Sequence, residues 1–148
     1  MSDPVTGVDV LRFTAALDRI PVSRRWVVAW ADRRGAGVPE LRTLALLTTE
    51  AVTNAIQHGP DGGEVTVTVS ADDGGWRVAI ADQSPVLPSR LDVDARAGGG
   101  RGVMLIDHLS ADWGVDADGA GGKTVWFRVT RPQRAVARRR DRSSGAPA

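Results

Sequence analysis

The chain has no cysteine, one lysine among 19 basic side chains, and no long apolar run. Without cysteine, neither a disulfide framework nor a thiolate metal site can form, and a reducing cytoplasm is the expected setting. No stretch approaches the roughly 18 consecutive apolar residues of a membrane span, and the opening MSDPVTGVDV lacks a basic region followed by an apolar one. The expected protein is therefore cytoplasmic, with no membrane partner. The scarcity of lysine against eighteen arginines, beside abundant Ala and Gly, reads as a compositional bias of a GC-rich genome without chemical meaning. What is present suffices for a core: 148 residues, 42% hydrophobic and 25% charged, make one globular domain and are too few for two.

The net charge of +1 conceals two regions. From Arg131, RPQRAVARRRDRSSGAPA carries six arginines and one aspartate, a net of +5; residues 1–130 hold 13 basic and 17 acidic side chains, a net of −4. The basic segment has almost no large apolar side chain to offset its ordering entropy, so residues 131–148 are expected to be a disordered tail and 8–130 the folded domain. Such a tail is either a solvated terminus or an arm for an acidic partner. Direct nucleic-acid binding is not expected.

Within residues 8–130 the patterns alternate between strand and helix. Leu11, Phe13 and Ala15 alternate with polar residues as in a half-buried strand. Pro21 then opens a helix with Val22, Trp26, Val27 and Trp30 on one face, ending near Gly35 to Gly37. A second helix runs from Pro39 to His58 and stops at Gly59-Pro60. EVTVTVSADDGGWRVAIAD is a hairpin turning at Asp72–Gly75. Residues 83–100 form a long loop rich in Pro, Asp, Arg and Gly. A short helix from Arg101 to Leu109 and strands near Trp113–Asp116 and Lys123–Thr130 follow, with Val125, Phe127 and Val129 on one face. These elements predict an α+β fold, a two-layer α/β sandwich whose mixed, mostly antiparallel sheet carries its helices on one face.

Three features can carry chemistry. In TTEAVTNAIQHG, Glu50, Asn54 and His58 recur every four residues, on the side of the second helix opposite the stripe Leu41, Leu44, Ala45, Thr48, Ala51, Val52, Ala55 and Ile56. They are either a reaction centre or the wet side of a surface helix; Leu46 and Leu47 share their side, which argues against full exposure. GGGRGV, Gly98–Val103, leads glycines into a helix N-terminus, where unpaired N–H groups and the helix dipole can seat a phosphate, or where the glycines simply form a hinge. Asp82 ends the hairpin strand, where its carboxylate can accept from an exocyclic amine or cap a local turn.

Taken in order, E-x-x-x-N-x-x-x-H-G on a helix, a hairpin ending in Asp82, G-x-G-x-G at a helix start, and GGKTVWF in the last strand resemble the nucleotide-binding domain shared by gyrase, Hsp90 chaperones, histidine kinases and MutL repair proteins. This is the GHKL superfamily with its Bergerat ATP-binding fold. The nearest resemblance is to stand-alone bacterial anti-sigma factors that are also serine/threonine protein kinases, and it covers about residues 8 to 130. It implies ATP and Mg²⁺ as cofactors, with Asn54 on Mg²⁺ and the phosphates. It implies Glu50 as general base toward a serine or threonine hydroxyl, and Asp82 as reader of adenine. Gly98, Gly100, Arg101, Gly102 and Val103 would form the phosphate turn, and Thr124 would close the adenine side. His58 is expected to be scaffold. The chain departs from the family's D-x-G-x-G at Asp82-Gln83-Ser84-Pro85-Val86, where both glycines are replaced. With only about ten residues before the first strand, no dimerising helical hairpin or transducer domain is expected. The implied partners are an anti-anti-sigma (STAS-type) protein as substrate and a sigma factor as target, in transcription regulation, with a homodimer compatible. A binding module that does not turn ATP over is the alternative.

Overall fold

Eight elements follow one another in the computed structural model, which describes residues 7–84, 101–119 and 121–132. They are β1 (Gly7–Thr14), α1 (Arg19–Asp32), α2 (Val38–His58), β2 (Glu64–Asp72), β3 (Gly75–Asp82), α3 (Arg101–Leu109), β4 (Asp112–Ala117) and β5 (Lys123–Thr130). The strands form one sheet in the order β1-β2-β3-β5-β4. Each of the four pairings is antiparallel, so the parallel component allowed for in a mixed sheet is not found among the described strands. The fold is α+β, as the alternating patterns predict.

The period of two in each strand decides which face is covered. Val65, Val67 and Val69 of β2, Trp76, Val78 and Ile80 of β3, and Val125, Phe127 and Val129 of β5 are buried in one cluster with α1, α2 and Ile106 of α3. The opposite face carries Thr66, Thr68, Arg77, Trp126 and Arg128, all half-buried. There the Arg77 guanidinium lies 4.8 Å from the Trp126 ring centre.

The helices end where their sequences stop them. After α1, Gly35 adopts φ +87°, which lets Ala36 N–H reach Ala31 O and Gly35 N–H reach Asp32 O, the paired bonds of a Schellman ending. In α2, proline sits in the first turn and the Gly59 N–H closes on Ala55 O at 3.0 Å. No helix among the described residues is long and apolar enough to cross a membrane.

Two expectations shift. Leu47 does not share a polar side with Leu46: it is fully buried, whereas Leu46 is 39% exposed. At about 100° per residue, Leu47 stands only about 60° from Leu44 and so falls on the margin of the buried stripe, which is wider on that side than the sequence stripe allows. Arg131, placed in the tail by composition, is held: its N–H donates to Gly74 O at 2.9 Å, Nη2 donates to Arg34 O at 3.0 Å, and its guanidinium lies 4.2 Å from the Trp76 ring centre. The remainder of the predicted tail, 133–148, and most of the predicted loop, 85–100, lie outside the described residues.

Candidate functional site

Packing against neighbours sorts the polar residues of α2. Thr49 Oγ1 accepts from Arg24 Nη1 at 3.2 Å, so that flank faces α1. Thr43 instead lines a cleft with Leu109, Ser110 and Ala111 at the end of α3. Glu50 lies two turns beyond Thr43 and about 20° around the axis, and Asn54 a further turn on, so both share the flank that meets α3. They are half-buried, whereas His58 is exposed in the last turn, where a basic side chain complements the helix dipole. Glu50 and Asn54 are therefore beside the core stripe and not opposite it, which is why they are partly withdrawn from water.

At the foot of α2 stands Asp82. Gly59 ends the helix so close to β3 that a Cβ there would sit 3.8 Å from the Asp82 Cβ, and a Cβ on Gly122 would meet the Asp82 carbonyl oxygen at 2.4 Å. The Asp82 carboxylate is buried on the helix-covered face with both oxygens engaged. Oδ1 accepts the Ser84 N–H at 2.7 Å, an Asx turn that ends the strand, and Oδ2 accepts from Lys123 Nζ at 2.6 Å. Both side chains of the pair are 2% exposed.

Thr124 is not brought to this point. Asp82 is registered opposite Lys123, and Ala81 opposite Thr124, so the pleat turns Thr124 to the open face, where its hydroxyl lies 3.4 Å from Asp118 Oδ1. A shift of one residue in a strand exchanges faces, and Lys123 takes the core-side place expected of Thr124. Lys123 is the residue that sequence reasoning missed. Two signals could have found it: it is the single lysine of the chain, and the alternation Val125, Phe127, Val129 continued one step back lands on it.

Of the phosphate turn, Arg101, Gly102 and Val103 form the first turn of α3, and Gly98 and Gly100 lie outside the described residues. α3 packs against α2 and buries Ile106 in the core, so its N-terminal turn belongs to the same layer as Asn54. A cation held here would depend on more than protein carboxylates: among the described residues no three His, Cys, Asp or Glu side chains converge. Mg²⁺ beside a nucleotide would take phosphate oxygens and waters, with the Asn54 amide oxygen as its candidate protein ligand. Ser84 is itself buried beside the Asp82 carboxylate that its N–H donates to.

Comparison with known proteins agrees with this fold. The family model described as histidine kinase-like ATPase domain matches residues 13–129. The crystal structure of the RsbU and RsbW domains of Rv1364c from Mycobacterium tuberculosis superimposes with a TM-score of 0.61 at 21% identity, over 84% of this chain and 33% of that one. The chain thus spans about a third of the length of that protein, and at this identity the likeness is one of fold. No curated protein matches.

Proposed function

The chain belongs to the histidine kinase-like ATPase domain family, and from that premise we propose that it is an ATP-binding regulator that phosphorylates a serine or threonine of a partner protein. The observation that carries the proposal is the placement of Glu50 and Asn54, half-buried on the α3 flank of α2, with a buried carboxylate at the helix foot.

In this reading residues 8–130 are the catalytic domain. Asn54 would hold Mg²⁺ through its amide oxygen, and the N–H groups of the turn Gly98, Gly100, Arg101, Gly102 and Val103 at the start of α3 would hold the phosphates. Asp82 faces the base. Mg-ATP supplies the transferable phosphoryl group when bound. Glu50 would accept the proton of the partner hydroxyl as that oxygen bonds to the γ-phosphorus and the bond from phosphorus to the β–γ bridging oxygen breaks, with ADP as the leaving group; the step depends on positioning more than on covalent chemistry by the protein. The likeness to an RsbW domain supports a partner of the anti-anti-sigma type as substrate and a sigma factor as the regulated target.

The test is incubation with labelled ATP, Mg²⁺ and a candidate STAS-type protein. Label should appear on serine or threonine of the partner, and Glu50→Ala should lower the rate about 10²–10⁴-fold, the usual contribution of a general base, while nucleotide affinity stays within about twofold. Full-rate transfer by Glu50→Ala removes Glu50 from the role. One observation favours a second reading, an adaptor that captures its partner without turnover: the Asp82 carboxylate is already ion-paired within the protein. Under that reading the partner is bound stoichiometrically and remains unlabelled.

A further inference from the structure

Asp82 cannot be addressed by a nucleobase without involving Lys123. The two residues are direct partners across β3 and β5, and both point into the helix-covered layer because each falls in the buried phase of its strand. Their contact is 2.6 Å, and both side chains are sealed from solvent. The second carboxylate oxygen is taken by the Ser84 N–H. The walls are backbone: Gly122 passes so close to the Asp82 carbonyl that no side chain fits between them, and Gly59 closes the α2 side.

We propose that Lys123 is the affinity-determining residue of the base site, an internal competitor that holds Asp82 and keeps the protein a weak binder of ATP. The inference rests on the ATP-binding reading above. An exocyclic amine is a neutral donor, and a neutral hydrogen bond is about half as strong as the charge-assisted bond that Lys123 makes to Asp82. Displacing Lys123 would also strand an ammonium where water does not reach. The lysine stem is long and flexible, so the pair opens by swinging the ammonium outward, and that motion is the step a bound base has to drive. Thr124 cannot relieve the competition, because the pleat keeps it on the other face.

The first experiment is calorimetric titration of the wild-type protein and Lys123→Thr with Mg-ATP, with thermal unfolding recorded for both. The short hydroxyl side chain leaves Asp82 in place and frees one carboxylate oxygen. Lys123→Thr should bind Mg-ATP at least about tenfold more tightly than wild type, about 1.4 kcal/mol. Equal affinities, or tighter binding by the wild type, overturn the inference and leave the ATP-binding reading standing. Absence of binding by both folded proteins overturns the ATP-binding reading, and this inference with it.

A second measurement needs no variant. Because Lys123 is the single lysine, selective ¹⁵N-lysine labelling of the full chain yields one side-chain ammonium resonance, protected from exchange with water by burial. That resonance should shift, and lose its protection, as Mg-ATP is added. A lysine resonance unmoved while the signals of ATP itself broaden on binding would overturn the role assigned to Lys123.

Discussion

Two aspartate–cation pairs stand near opposite ends of β3, and they differ in almost every physical respect. Near the hairpin turn, Asp72 receives Arg128 bidentately, Nη2 to Oδ1 at 3.0 Å and Nη1 to Oδ2 at 3.2 Å, with side chains 60% and 29% exposed. At the far end Asp82 holds Lys123 at 2.6 Å with both side chains 2% exposed. The first pair is part of a turn: Asp72 Oδ1 also accepts the N–H groups of Gly74 and Gly75, and Gly75 at φ +153° would place a Cβ 2.2 Å from Val129 O. The Asp72 carboxylate caps the hairpin turn, and Arg128 reaches it from β5. The second pair withdraws two charges from water at the foot of α2, where the hairpin has already been closed and nothing in the local chain requires a cation. A buried ion pair is weak evidence for stability, because apolar residues of similar volume often serve as well or better. A gain in stability therefore does not explain the buried pair, whereas the exposed one is part of a turn.

The sharpest way to break this contrast is to remove one cation from each pair. Lys123→Ala leaves an uncompensated carboxylate in the core and should cost about 3–5 kcal/mol in urea unfolding, whereas Arg128→Ala should cost about 1 kcal/mol or less. Equal losses would mean that the Asp82 site is open to water and that the contrast in burial has no energetic content. A Lys123→Met, Asp82→Leu double substitution should recover most of the loss, since what destabilises is the stranded charge and not the absence of attraction.

The same contrast between sealed and solvated positions recurs inside α2, where adjacent residues separate. Leu47→Ala should destabilise by about 2–5 kcal/mol through lost burial and the cavity left behind. Leu46→Ala should stay within about 0.5 kcal/mol. A large effect at Leu46 would show that the exposed edge of α2 is covered in solution.

These two places also mark what a sequence reader can and cannot see. The strands were legible because period-two alternation in β2, β3 and β5 is a local property, and the bounds of α2 were legible because proline and glycine act on the chain beside them. The spacing of Glu50 and Asn54 was legible for the same reason. Their place beside the buried stripe was not: the stripe taken from Leu41 to Ile56 is centred away from Leu47, and only the packing of α3 on that flank widens it. Lys123 stood out in composition as the single lysine of the chain, but a lone lysine among arginines reads equally as a bias of codon usage. Its partner is 41 residues away, and the pairing depends on a strand register that local patterns do not state. An error of one residue, Thr124 for Lys123, was enough to choose the wrong face.

A further small effect concerns Asp72 in acid. Its hydrogen bonds from Arg128 first, and from the Gly74 and Gly75 N–H groups after it, hold its carboxyl below the usual carboxylate range, against a partial opposing effect of burial. A carboxyl whose pKa is lower in the folded than in the unfolded chain binds fewer protons when folded, so its contribution to stability is present above the unfolded pKa of about 3.9. That contribution is lost as pH falls through the folded pKa. The stability difference between wild type and Asp72→Asn should thus be constant at about 1 kcal/mol or less near neutral pH and shrink below about pH 4. It should also shrink with added salt, since this pair is solvated and the Debye length falls to about 3 Å at 1 M. The loss in Lys123→Ala, by contrast, should hardly respond to salt, because ions screen charges they can surround. A Lys123→Ala loss that falls with salt as steeply as the Asp72→Asn difference would place both pairs in the same solvent environment and erase the distinction between the two ends of β3.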